Sequence, residues 1–278
     1  MESIRVCTYN VHNLFDGGSG KSESEWKALA GILNRVAGDV VALQEVGSAA
    51  VLNTLNRRLK DPYAHEGFIQ SNSDRGIHLG VLSRYPLTLR SHKECILTSP
   101  DGEILAEFAS EADAVENRSS PLRFQRDLLL AEWMAGPVAF AAFVVHLKSK
   151  TNQPWRALSA DEVRSAEGRA LARIVSAYVA QNPLRNTLLL GDFNDTLNSD
   201  ALSTVRDLGF IDPVGAELAG TGRNPSTYWP KRRTRIDLLL VEPALRRRIL
   251  AGSGKIHASQ MAQRASDHYP VSLQLRID

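Results

Sequence analysis

Residues 187–194 read Thr-Leu-Leu-Leu-Gly-Asp-Phe-Asn. The apolar run has the length and character of a strand covered on both faces. It opens into Gly191-Asp192-Phe193-Asn194, which carries more oxygen chemistry than the Asx turn that would suffice to end a strand. The same pattern recurs outward along the chain. The apolar stretch 4–11 holds Asn10 near its end, and 39–46 finishes in Leu43-Gln44-Glu45. Ser266-Asp267-His268 stands just before the last stretch, 271–277. Further strand-like runs lie at 79–83, 128–133, 138–146, 187–191 and 236–241.

Helical periodicity fills the gaps. In 24–37, Trp26, Leu29, Ala30, Leu33 and Val36 share a face, with Ser22 and Glu25 as a capping box. Residues 49–59 and 200–208 are shorter candidates. Residues 160–181 form the longest helical pattern, with Ser159 and Glu162 as its capping box and Asn182-Pro183 as its stop. Several neighbouring strands have no helix between them, which favours mixed sheets covered by helices over a repeating parallel barrel. Residues 94–117 hold seven acidic residues and no basic one, and read as a surface insertion within a single domain, 1–278.

With 33 Lys+Arg against 31 Asp+Glu, the net charge of +2 argues against non-specific coating of nucleic acid. A composition of 43% apolar and 23% charged residues excludes a disordered or collagen-like chain. No apolar run is long enough to span a bilayer. Glu2, Arg5 and His12 interrupt any signal-like stretch, so the expected location is the cytoplasm, or outside the cell only if a signal preceded Met1. Cys7 and Cys95 are too few for a disulfide framework. Gly17-Gly18-Ser19-Gly20-Lys21-Ser22 imitates a phosphate-binding loop, but Phe15 stands where its first glycine is required.

Taken together, the strand ends supply a chemistry. A hard divalent cation takes carboxylate and carbonyl oxygens, which Asn10, Glu45 and Asp267 offer from three separate strand ends. Sheets packed face to face bring such ends to one rim. Hydrolysis of a phosphoester needs a base and donors for developing charge, and Asp192, Asn194, His146 and His268 are suitable types.

The ordered set Thr8-Tyr9-Asn10, Leu43-Gln44-Glu45, His146-Leu147-Lys148-Ser149, Gly191-Asp192-Phe193-Asn194, Arg235-Ile236-Asp237 and Ser266-Asp267-His268 resembles the endonuclease/exonuclease/phosphatase superfamily, over about residues 3–277. The resemblance implies a four-layer αββα sandwich of two mixed β-sheets flanked by helices. It also implies a Mg²⁺-dependent phosphodiesterase, with Mn²⁺ as the alternative ion. Glu45 would be the principal metal ligand, with Asn10 and Asp267 beside it. Asp192 would activate water and Asn194 place it. His268, oriented by Asp237, would contact the scissile phosphate. His146, with Asp74 as its carboxylate partner, would be a second phosphate-facing histidine, and Arg126 a phosphate-binding arginine.

The substrate is less fixed by these motifs. Lys231-Arg232-Arg233-Thr234-Arg235 beside Asp237, with Tyr228-Trp229 upstream and Lys148 and Lys150 after His146, makes a backbone grip of cations and aromatics. Nucleic acid is therefore the favoured partner, with Tyr228, Lys231 and Lys148 as contacts and no obligate protein partner. A small or lipid-linked phosphoester is the alternative. A non-catalytic binding module is disfavoured because Glu45, Asp192 and His268 are all present.

Overall fold

A computed structural model describes every residue except 1, 16, 18, 19, 220, 222–224 and 231–233. Its strands are β1 (Ser3–Leu14), β2 (Val40–Val46), β3 (His65–Ile69), β4 (His78–Ser83), β5 (Thr88–Ser91), β6 (Ala106–Phe108), β7 (Ser119–Pro121), β8 (Leu128–Ala135), β9 (Val138–His146), β10 (Asn186–Asp192), β11 (Asp237–Val241), β12 (Lys255–Ile256) and β13 (Val271–Arg276). Its helices are α1 (Glu23–Val36), α2 (Ala49–Arg57), α3 (Glu111–Val115), α4 (Ala160–Gln181), α5 (Ser203–Arg206), α6 (Pro213–Leu218) and α7 (Gln260–Ala265). One sheet runs β12-β13-β1-β2-β4-β3, the other β11-β10-β9-β8-β5. Each contains one parallel pair, β1–β2 and β9–β10, connected through α1 and α4. The remaining pairs are antiparallel, so both sheets are mixed.

Three apolar cores show the layers. Ile4, Val6, Ala42, Phe140, Val144, Leu188, Leu190 and Leu239 pack between the sheets. Cys7, Tyr9, Val41 and Leu43 pack outward against Trp26, Leu29 and Leu33 of α1. Leu189, Phe143 and Val145 pack outward against Val163, Ala166 and Leu171 of α4. This is the four-layer α/β sandwich. The Leu188–Leu190 run is apolar throughout because alternate side chains meet opposite cores, and neither face of the strand meets water.

Both capping boxes form, Ser22 with Glu25 and Ser159 with Glu162. Helix α4 spans the residues expected of it. The 200–208 candidate is instead a 3₁₀ turn, Asp200–Leu202, running into α5. The acidic stretch 94–117 contributes β6 and α3, and β6 pairs with β7 as a separate two-stranded ribbon. Cys7 and Cys95 are free thiols. Among the described residues, no helix is long and apolar enough to cross a membrane.

Candidate active site

Strand alternation builds the site. On β1 the residues facing between the sheets run Ile4, Val6, Thr8, Asn10. On β9 they run Phe140, Ala142, Val144, His146, and on β10 Leu188, Leu190, Asp192. The last member of each series reaches the rim and is polar. Register places Asp192 opposite His146 on one side and opposite Asp237, the first residue of β11, on the other. His268 joins from the segment before β13, through a bridge between Tyr228 and His268. The parallel strands thus contribute their carboxyl ends, where ligands of open α/β sheets bind.

Glu45 reaches the rim by another route. Gln44 takes the inward phase, so regular pleating would send Glu45 outward. A register shift between Gln44 and Val46, with Glu45 at φ 66°, turns its carboxylate in. Asn194 also adopts positive φ, 54°. Such conformations persist where surrounding contacts hold them, which is common at functional sites.

The rim encloses a cavity of about 430 Å³ lined by Glu45, His146, Asp192, Asn194, Asp267 and His268, with Arg75, Arg126 and Tyr228 around them. Asp192 accepts from the Asn10 side-chain amide at 2.9 Å and from the Asn194 backbone N–H at 2.8 Å. Asn10 also donates to Glu45 Oε1 at 3.3 Å, while its oxygen accepts from His12 N–H at 3.0 Å. The amide nitrogen of Asn10 therefore faces both carboxylates, and it ties them together rather than presenting its oxygen to the cavity. Asn194 donates its side-chain amide to Leu147 O at 2.9 Å.

His268 Nδ1 lies 2.8 Å from Asp237 Oδ2, and Nε2 lies 3.8 Å from Asp192 Oδ2. Burial alone pulls the imidazole toward the neutral form. The charges of Asp237, Asp192 and Asp267, with the Asp237 hydrogen bond, outweigh burial and hold its pKa up at about 10. His146 lies the other way. Burial first, then Arg126 and His268, push it well below its ordinary value, so it is a neutral donor. Burial, reinforced by Asp237, raises the Asp192 carboxyl against the opposing His268 charge and its two hydrogen-bond donors.

One ligand atom each from Asp192, Asp237 and His268 falls within a 4.8 Å cluster that could hold a metal. The His268 Nδ1 position is already committed to Asp237, and a metal would have to displace the imidazolium proton. Glu45 and Asp267 instead offer carboxylate oxygens to the cavity. Asp267, with a side chain 25% exposed, opens into the cavity. This oxygen set fits a hard divalent cation.

Two expected placements are corrected. Asp74 does not reach His146. It is 70% exposed and sits 3.7 Å from Arg156, while His146 Nδ1 is buried with no hydrogen-bond partner among the described residues. The turn closed by Gly76 N–H to Ser73 O presents Arg75 to the cavity instead, with Arg75 donating to Asn13 Oδ1. Lys148 does not line this cavity either. Its ammonium donates to the carbonyls of Ser149 and Thr151 and borders the neighbouring cavity. Arg126 is buried, donates to Leu147 O at 2.7 Å and lines both cavities. The Tyr228 ring lies 5.0 Å from that of His268. Lys231 falls outside the described residues, and Arg235 is engaged by Asp212.

Sequence reasoning missed His12, which lines the cavity 3.8 Å from Asp267, and the buried pair Arg164 and Glu167 on α4. Glu167 accepts the backbone N–H groups of Gln125 and Lys148, while Arg164 binds Asp195 and Lys148 O. One helix thereby fixes the segments carrying Arg126, His146 and Asn194. The signal for His12 was its place two residues beyond Asn10 in the alternation. Arg164 and Glu167 left only charges one turn apart on a helix, as solvated faces also do.

The His268–Asp237 pair makes stability pH-dependent. A histidine whose pKa is raised on folding stabilises fully below its unfolded value of about 6.5 and loses that contribution as pH climbs through about 10. Wild-type thermal midpoints are expected to fall from pH 6.5 to 10, with a shallower fall in Asp237→Asn. Parallel profiles would remove Asp237 as the source of the imidazolium.

Residues 7–268 match the model of the Endonuclease/Exonuclease/phosphatase family. No curated protein matches the chain. Among solved structures, truncated Caenorhabditis elegans TDP2 is similar at 17% identity and TM-score 0.63, covering 98% of this chain and 97% of that one. The human Nocturnin catalytic domain with bound sulfate is similar at 17% identity and TM-score 0.64, covering 99% and 94%. Sphingomyelinase C from Streptomyces griseocarneus is similar at 16% identity and TM-score 0.61, covering 99% and 100%. These likenesses concern the fold.

Proposed function

The chain belongs to the endonuclease/exonuclease/phosphatase family, whose members are hydrolases of phosphoesters, and from that premise we propose that it is a Mg²⁺-dependent phosphodiesterase acting on nucleic acid. The observation that carries the hydrolytic reading is Asp192, buried at the cavity floor and held by Asn10 and Asn194 opposite an imidazolium.

In this reading Asp192 takes the proton of the attacking water. Its elevated proton affinity suits a base working near neutral pH. Asn194, at 3.4 Å from Asp192 Oδ2 through its amide, helps to place that water. His268, oriented by Asp237 at Nδ1, offers Nε2–H to a non-bridging phosphoryl oxygen. Neutral His146 and the guanidinium of Arg126 supply further donors, so charge developing on the phosphoryl oxygens meets preorganised partners. Glu45 and Asp267 would hold Mg²⁺ or Mn²⁺, with Asn10 positioning the Glu45 carboxylate, and the ion when bound supplies Lewis-acid polarisation and leaving-group stabilisation. The nucleic-acid preference is supported by Tyr228 beside His268 and by Trp229, part-exposed and anchored by its indole N–H to Ser266 O.

The test is a panel of supercoiled plasmid, single-stranded DNA, RNA and bis(p-nitrophenyl) phosphate with Mg²⁺, Mn²⁺ or EDTA. Metal-dependent cleavage of a polynucleotide is the expected result. Cleavage of the small diester alone would move the substrate to small or lipid-linked phosphoesters, and no cleavage would overturn the reading. Glu45→Gln removes a charge from the proposed metal site, and the Mg²⁺ concentration for half-maximal rate is expected to rise about tenfold or more. An unchanged requirement would take Glu45 off the ligand set.

A further inference from the structure

We propose that the cavity adjoining the catalytic pocket is a subsite for a second phosphate group of the substrate, which narrows the substrate to phosphodiesters carrying another phosphate near the scissile one. This inference rests on the hydrolytic reading above for its kinetic test, but not for its binding test.

The second cavity measures about 200 Å³ and shares Arg75 and Arg126 with the catalytic pocket as a common wall. Lys148 and Arg156 complete a set of four cationic side chains facing one carboxylate, Asp74. That carboxylate is largely solvated and stands 3.7 Å from Arg156, outside hydrogen-bond range. The volume suits a phosphate and is below that of ordinary ligand pockets.

Arg156 is the decisive residue. Its side chain is only 9% exposed, yet its guanidinium makes no hydrogen bond within the described structure, and Nε is buried without a partner. It lies over the Trp155 ring at 4.9 Å. A buried guanidinium Nε with no acceptor is costly, and native structures seldom leave a buried donor so. A phosphate matches the guanidinium fork in geometry as well as charge. Lys148 has a smaller deficit. Two of its three donors go to carbonyls, and burial, with the charges of Arg126 and Arg156, pulls its pKa down to about 8. An anion between these groups would reverse that drop.

The acidic insertion explains how the subsite is held. Buried Glu107 of β6 accepts the backbone N–H of Ala157 at 2.9 Å and of Leu158 at 3.4 Å. The insertion thereby anchors the loop that presents Trp155 and Arg156. The Glu107 carboxylate thus acts on the protein's own backbone.

Two sources could supply the second phosphate, the neighbouring diester of a polynucleotide or a terminal phosphomonoester. A thymidine dinucleotide with one diester, the same molecule with a 5′- or 3′-phosphate, and a tetranucleotide with internal diesters only would be compared by kcat/KM. Wild type is expected to prefer a substrate with a second phosphate by about tenfold, the effect of one charge-assisted contact. The monophosphorylated dinucleotides and the tetranucleotide then distinguish the sources. Arg156→Gln is expected to erase that preference while leaving the plain dinucleotide rate and thermal midpoint unchanged, and Arg156→Lys to restore part of it. No preference in wild type, or equal slowing of every substrate by Arg156→Gln, would overturn the subsite.

Calorimetric titration of metal-free protein with inorganic phosphate reads binding without turnover. Affinity is expected to weaken about tenfold in Arg156→Gln, whereas no binding, or binding unchanged by the variant, overturns the proposal. A protein that cleaves nothing but binds phosphate through Arg156 would refute the hydrolytic reading and keep the subsite.

Discussion

Asp192→Asn is expected to lower kcat by about 10³-fold, within the range for losing a positioned general base, while thermal stability holds or rises. The two halves follow from the same burial. Asp192 sits at the floor of the cavity, and its proton affinity is raised on folding. For a carboxylate this is the unfavourable direction. Folding penalises the charged form, and stability falls as pH rises from the unfolded carboxylate range toward the folded value. An isosteric neutral amide removes the penalty and fills the same volume. Its single carbonyl oxygen can keep one of the two donors that now hold the carboxylate, Asn194 N–H at Oδ1 or the Asn10 amide at Oδ2, and the other loses its acceptor. The variant therefore keeps its packing and loses its base. Melting curves and single-turnover rates with Mg²⁺ present check both halves. Wild-type turnover would remove Asp192 from the reaction, and a collapsed melting point would mean that its charge is structural.

The candidate site was legible in the sequence wherever it obeys strand alternation. Leu188-x-Leu190-x-Asp192 and Phe140-x-Ala142-x-Val144-x-His146 each continue a buried face into a polar residue, so their convergence follows from period two and from sheets packed face to face. Asp237 and His268 were likewise found together, as expected from their motifs. What alternation does not encode was lost. The bulge that turns Glu45 inward reverses its phase, and only the motif, not the pattern, placed it. Asp74 failed because an exposed turn decides which of two adjacent charged side chains faces the cavity, and the turn chose Arg75. Short elements such as β3, β5 and α7 escaped because a handful of residues with mixed burial carries no resolvable period. Arg164 escaped because a fully buried arginine on a helix runs against composition. Its partners, Asp195 and Lys148 O, lie in loops that only the assembled fold brings near.

Gly191→Ala is expected to destabilise the protein by about 3 kcal/mol or more, the sum of backbone strain and a backbone collision, and to reduce activity beyond the loss of folded protein. In the sequence this glycine closes the 187–191 strand-like run. In the structure it is an interior residue of β10, paired with Val145 on one side and Leu238 on the other. Its φ is +145°, and a Cβ there would stand 2.0 Å from the Val145 carbonyl oxygen and 2.8 Å from the Val145 nitrogen. Those are backbone atoms of a central strand, so no rotamer change relieves the contact. The strand must move, and the next residue along it is Asp192. Gly136, in the β8–β9 turn, provides the control. Its φ is +58° and nothing lies within 4 Å of its Cβ position, so Gly136→Ala should cost only about 1 kcal/mol of left-handed strain. Urea unfolding of both variants, with kcat corrected for the folded fraction, separates the effects. Equal losses would show that φ alone matters at Gly191. A larger loss at Gly191, with depressed kcat in the remaining folded enzyme, would show that the close approach of β10 to β9 sets the position of the catalytic carboxylate.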